Sequence, residues 1–211
     1  MCFVLQSQVN MKFISIGQAC NIKYQLDAYI GKKETLFFDR LDTDMNSVNT
    51  ILSCKDITSI LFFENIIQYT LEPEHNNNAQ MTINSLSKCI SKHDINKKIT
   101  KKGINTFIAK YTRRFHRLLE YINGTEKIMF IRYNKITEEE KRQFIRIIKN
   151  INPACNFVLA NIIIEQNEIS IIRNTNFIEI NLIATFIDDW TTSYLDWDNI
   201  FHILKDINSN H

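Results

Sequence analysis

The stretch from Ile104 to Ile183 leaves few architectures open to this chain. Ile104, Phe107, Tyr111, Phe115, Leu118 and Ile122, joined by Ile108 and Leu119, recur at helical spacing and form one apolar stripe. That spacing predicts a helix over 104–122, stopped at Asn123-Gly124. IMFI (128–131) follows as an unbroken apolar run, the pattern of a central strand covered on both faces. Thr137 and Glu140 then make a capping-box pair before a second amphipathic helix, 138–151, which Pro153 terminates. NFVLANIII, EISIIR and NFIEINLI read as two or three strands separated by the turn-like pieces EQN and NTN. Helix, strand, helix, strand calls for a parallel pair, and the short later connections call for hairpins. The expected class is α/β (α+β mixed): a central mixed sheet flanked by helices.

The first half is read with less regularity. KFISI (12–16) is a buried strand stopped at Gly17, and a helix over 19–30 follows, with Gly31 as its C-terminal stop. Leu36-Phe37-Phe38 is a short extended piece leading into Asp39. Residues 46–53 and 57–69 carry helical or mixed patterns, EPEHNNNAQ is a loop, and MTINSLSKCI is a candidate strand running up to His93-Asp94. A last helix is expected from Asp198, with Asp198 as its N-cap. Residues 1–10 are expected to be an extension, and 11–211 a single domain. MCFVLQSQVN lacks the basic start, apolar stretch and cleavage site of a signal peptide.

Charge and cysteine usage exclude several classes. With 25 basic and 23 acidic side chains, no field is strong enough to make nucleic acid the expected partner. No apolar run reaches the roughly 18–20 residues that span a bilayer. Five scattered cysteines without a CxxC give neither a zinc site nor a thioredoxin-like motif, so no metal and no cofactor is expected. The acidic tail (Asp188, Asp189, Asp196, Asp198) fits no EF-hand spacing. Free thiols point to a reducing, cytoplasmic setting. The abundance of Ile, Asn and Lys is that of an A+T-rich genome, such as a parasite, a virus or a low-GC bacterium; for a virus the setting is the host cytoplasm.

Cys20 lies three residues past Gly17, where strand gives way to helix. Helix N-termini offer unpaired N–H groups and partial positive charge, which favour an anion. A thiol there is more acidic than the ordinary value of about 8.5, by about one unit or more. The same N–H groups, with Gln18 as a side-chain donor, can bind a developing oxyanion. A nucleophilic thiol needs a base. His93, next to Asp94, is the candidate, with Asp94 or Asp39 to orient the imidazole. The plainer alternative is a small core cysteine and a solvated histidine.

ISIGQACNIKYQLDAYIG, then FFDRLDTDMNSV, KHD, YTRRFHRLLEYING and IMFIR resemble a family of papain-like cysteine peptidases, a domain of unknown function. The resemblance runs from about residue 12 to 132, with a weaker echo in DDW and LDW. It is carried by Gly17, Cys20, Phe38-Asp39, His93-Asp94, Arg113-Arg114 and Arg132 in order. Arg40 stands where the family tends to have Trp. The resemblance implies a papain-like arrangement with a cysteine heading a helix, a peptide or protein substrate, and thiol-dependent acyl hydrolysis or transfer. Two other readings compete. One is a non-catalytic protein-interaction module that retains the fold. The other is an enzyme of phosphate or sugar chemistry in which Arg114 and Arg132 hold the substrate in bidentate contacts. Arg113, His116 and Arg117 are expected on the polar face of the 104–122 helix.

Overall fold

The computed structural model describes residues 11–18, 20–31, 33–61, 63–70, 80–91, 100–165, 170–174, 176–183 and 191–209. In chain order the elements are β1 (Met11–Ser15), α1 (Asn21–Ile30), β2 (Leu41–Asp42), α2 (Met45–Leu52), α3 (Ile57–Ile60), a 3-10 turn (Phe63–Asn65), β3 (Ile66–Thr70), β4 (Gln80–Asn84) and β5 (Ile90–Ser91). Then come α4 (Lys101–Asn123), β6 (Lys127–Tyr133), α5 (Glu138–Ile151), β7 (Phe157–Glu165), β8 (Ser170–Asn174), β9 (Phe177–Ile183) and α6 (Trp197–Ser209).

The main sheet has the order β1-β6-β7-β9-β8. β1, β6, β7 and β9 run parallel, and β8 closes the edge antiparallel to β9. This is the expected mixed sheet, and its two faces carry separate cores. On one face Ile22 and Leu26 of α1 pack with Trp197, Ile200 and Phe201 of α6 against Met129, Ile131, Ala160 and Ile162. On the other, Tyr111, Phe115 and Leu118 of α4 and Phe144 and Ile148 of α5 cover Ile14, Phe130, Phe157 and Leu159. The alternation Phe130-in, Ile131-out along β6 is the period-2 rule of a strand buried on both sides.

The predicted helices stand at 101–123 and 138–151, the second with its capping box complete between Thr137 and Glu140. Three readings are corrected. Phe37 and Phe38 belong to a turn over 37–40 in which both are buried, the Phe37 ring packing edge-on against Tyr111 and Phe115 of α4 and the Phe38 ring against Phe37. The sequence 81–91 holds two strands joined by a turn in which the Asn84 side chain accepts from the Leu86 and Ser87 N–H groups. With β2 and β3 these form a separate four-stranded antiparallel sheet, β2-β5-β4-β3. The last helix begins one residue earlier than expected, and Asp196, not Asp198, caps it through the Asn199 N–H at 3.0 Å. No helix among the described residues is long and apolar enough to cross a membrane.

Candidate functional site

β1 and β6 are neighbours whose chains leave the sheet on opposite sides. After β1 the chain enters α1 on one face, and after β6 it enters α5 on the other. Such a divergence opens a crevice at the carboxyl ends of parallel strands, the usual place for a ligand in open α/β sheets. Gly17, Gln18, Cys20 and Asn134 sit there.

The turn is held by long-range bonds. The Ile16 N–H donates to the Ile131 carbonyl at 3.0 Å, and the Thr43 N–H donates to the Gln18 carbonyl at 2.9 Å. Arg132, only 2% exposed, donates through Nη1 to the Ile16 carbonyl and through Nη2 to the Thr43 carbonyl, both at 3.0 Å. Burial pulls its guanidinium down to about 10, against the opposing charges of Glu140, Asp44 and Asp42. Gly17 has φ +90, and a Cβ there would lie 2.1 Å from Thr43 Oγ1 and 3.3 Å from Arg132 Nη1. Only glycine tolerates both the angle and the approach.

Cys20 is half-buried at the N-cap of α1. Its carbonyl accepts from the Tyr24 N–H at 3.0 Å, and its side chain makes no capping bond to the helix. Cys20, Cys54, Cys89 and Cys155 all carry reduced thiols. Gln18 is also half-buried, and its Oε1 accepts from Asn134 Nδ2 at 2.7 Å. With its oxygen held, the amide presents Nε2 away from Asn134.

One helical turn beyond Cys20, Lys23 is buried with its Nζ 2.8 Å from Asp27 and 3.8 Å from Asp39. Asp39 is itself buried, and its Oδ2 accepts from the Leu36 N–H at 2.7 Å. Burial pushes its carboxyl from 3.8 up to about 6, outweighing the Leu36 bond and the positive charges of Lys23 and Arg114. Arg114 is buried, lies 4.9 Å over the Tyr111 ring, and leaves Nη1 without a partner. Gln25 donates to the Thr191 carbonyl at 2.6 Å and ties α1 to the loop before α6.

The structure therefore gathers Gly17, Gln18, Cys20 and Arg132 at one turn, and links Asp39 to that helix through Lys23. His93 and Asp94 lie outside the described residues. Arg132 spends both Nη groups on main-chain carbonyls inside the fold. Arg113 and His116 are exposed, while Arg117 pairs with Glu34 at 3.4 Å and donates to the Thr35 carbonyl. Sequence reasoning missed Lys23, Thr43 and Asn134. Only Asn134 carried a local signal, an Asn just after a strand, where its φ of +76 is best tolerated by Asn or Gly. Among the described residues no group of three or more His, Cys, Asp or Glu is placed to hold a metal ion.

No curated protein and no solved structure matches the chain. A family model described as "Putative papain-like cysteine peptidase (DUF1796)" matches residues 11–167, a span that begins with β1 and contains the Cys20 turn, Asp39 and Arg132. The chain belongs to that family.

Proposed function

We propose that the chain is a thiol-dependent acyl hydrolase or transferase of papain-like type, acting on a peptide or protein, with Cys20 as nucleophile and His93 as general base. The observation that supports it most is the seat of Cys20: a half-buried thiol at the N-cap of α1, past the carboxyl end of β1, where β1 and β6 send their helices to opposite faces of the sheet. N–H groups of the first turn favour the thiolate over the thiol. Asp39 is the preferred orienter over Asp94. Asp39 is buried beside α1, with its Oδ2 3.8 Å from the Nζ of Lys23, one helical turn beyond Cys20.

In the reaction the Cys20 thiolate attacks the carbonyl carbon, and a C–S bond forms as the π pair moves to oxygen. First-turn N–H groups and Gln18 Nε2 receive that oxyanion, with Asn134 holding the other end of the Gln18 amide. As the oxyanion collapses the C–N bond breaks and His93 gives the leaving amine the proton it took from the Cys20 thiol; water or a second amine then attacks the thioester, the C–S bond breaks, and the acyl group leaves Cys20. A retained but inactive fold, serving only to bind a partner, is the outcome if the thiol is ordinary. The deciding experiment is the pH dependence of iodoacetamide alkylation at Cys20. A titration midpoint below about 8.5 that moves in His93→Ala supports the reading. An ordinary thiol curve, unchanged in His93→Ala, sinks it.

A further inference from the structure

Between Ile95 and Leu119 the sequence holds eight Lys and Arg and no Asp or Glu; the rest of the chain has seventeen basic against twenty-three acidic side chains. A protein close to neutrality has thus gathered a strong positive charge in and just before α4. The inner side of α4 is committed to the core through Ile104, Tyr111, Phe115, Leu118 and Ile122. Its outer side shows Lys101, Lys102 and Arg113 exposed and Lys110 half-exposed. The small residues Thr106 and Ala109 lie between them and floor a shallow open trough lined by those four cations.

α5 shows what the same chain does with an ordinary solvated helix. There Glu138 pairs with Lys141, and Glu139 with Arg142 and Arg146, so the exposed face neutralises itself. Among the described residues of α4, the first carboxylate is Glu120, past the end of the trough. Lys101 and Lys102 also stand in the first helical turn, where the macrodipole disfavours cations. α5 again does the opposite, with Glu138, Glu139 and Glu140 in its first turn. Like charges at helical spacing, two of them at the wrong end of the dipole, weaken α4 on its own. A bound anion reverses both penalties.

We propose that the outer face of α4, from Lys101 to Arg113, binds an acidic, extended segment of a protein partner. Its large side chains are polar or charged, with no Phe, Trp or Leu to enter a membrane and no ring to stack a base. The face is straight, about 18 Å long at 1.5 Å per residue. An extended peptide of five or six residues covers that length, and its alternate side chains recur about every 6.6 Å, close to the roughly 6 Å between helix positions four apart. Lys102 and Lys110 stand eight positions apart and Lys101 and Arg113 twelve, about 12 and 18 Å along the axis, so a peptide with carboxylates at every second residue brings one within reach of each cation. The inference stands apart from the chemistry proposed for Cys20.

The test uses the full chain and a fluorescein-labelled peptide of alternating Glu and Ser, ten residues long, with a twelve-base-pair DNA duplex and anionic phospholipid vesicles as parallel probes. Expected is saturable peptide binding at low salt that weakens as salt rises through the physiological range. The triple variant K101E/K102E/R113E should bind about tenfold more weakly or worse. Because the two N-terminal replacements suit the helix dipole, its thermal midpoint should equal or exceed that of the wild type. Loss of binding without loss of stability is a split that a merely structural face does not produce. Peptide binding that is absent at low salt, or unchanged in the variant, overturns the proposal. So does a duplex or vesicle that binds more tightly than the peptide with the same dependence on the three residues.

Discussion

Replacing Asp39 by Asn tests the electrostatics of the site directly. The side chain keeps its shape and can still accept from the Leu36 N–H, but it no longer ionises. In the wild type the carboxyl is raised from 3.8 to about 6, chiefly by burial. At 1.36 kcal/mol per pK unit, that rise corresponds to roughly 3 kcal/mol favouring the protonated form in the folded state. Because the folded value lies above the unfolded one, Asp39 contributes stability that is fully present below about pH 4 and lost as pH rises through about 6. Urea unfolding of both proteins between pH 3.5 and 8 isolates this contribution, because the other titrating groups cancel in the difference. The stability of the wild type minus that of D39N should fall by roughly 3 kcal/mol between about pH 4 and about 6 and level off above that. A difference that is flat throughout, or that rises with pH, would falsify the reasoning. It would mean that Lys23 and Arg114 hold the carboxylate ionised in spite of its burial.

Four further outcomes follow from the geometry. N134D should slow acylation of Cys20 by p-nitrophenyl acetate about a hundredfold, since a carboxylate accepts only and draws Gln18 Nε2 toward itself. N134A should slow it less, and iodoacetamide alkylation, which forms no oxyanion, should keep its rate in both; parallel losses in the two reactions count against the role given to Gln18. G17A should lose about 2–4 kcal/mol in urea unfolding, from its positive φ and the overlap with Thr43 Oγ1. Part of that loss should return in the G17A/T43A double variant, and full additivity would contradict the steric account. R132M should cost about 2–4 kcal/mol, because the Ile16 and Thr43 carbonyls lose their donors, and a neutral effect would show that they find others. With a disulfide reagent near pH 8, Cys20 and Cys54 should react before Cys155 and before Cys89, whose thiol burial pushes up to about 12; early labelling of Cys89 would refute that burial.

Periodic elements could be read from the sequence because their information is local. The stripe from Ile104 to Ile122 and the Thr137–Glu140 pair each lie within one helix, and the structure places them as the spacing requires. The second sheet could not be read, since β2 and β5 are two residues long and too short for any alternation to register. Phe37 and Phe38 looked extended because the aromatic rings that receive Phe37, and through it anchor the pair, lie on α4, more than seventy residues away. The Cys20 turn itself was legible through Gly17 and the helix that follows. What holds it was not: Arg132 reaches a carbonyl of Thr43 that lies 89 residues away, and no local pattern encodes that pairing.

Among the described residues, the turn that carries the thiol hangs from the outermost strand of the main sheet, where β1 pairs with β6 alone. The two halves of that ladder are far apart along the chain; Ile16 and Arg132 are separated by 116 residues. Closing a loop of that length costs about 4 kcal/mol in chain entropy before any contact rewards it. The thiol turn is thus expected to be completed late on the folding path. Chemical reactivity at this one sulfur should report whether a molecule has finished folding, well before bulk helix content distinguishes the two populations.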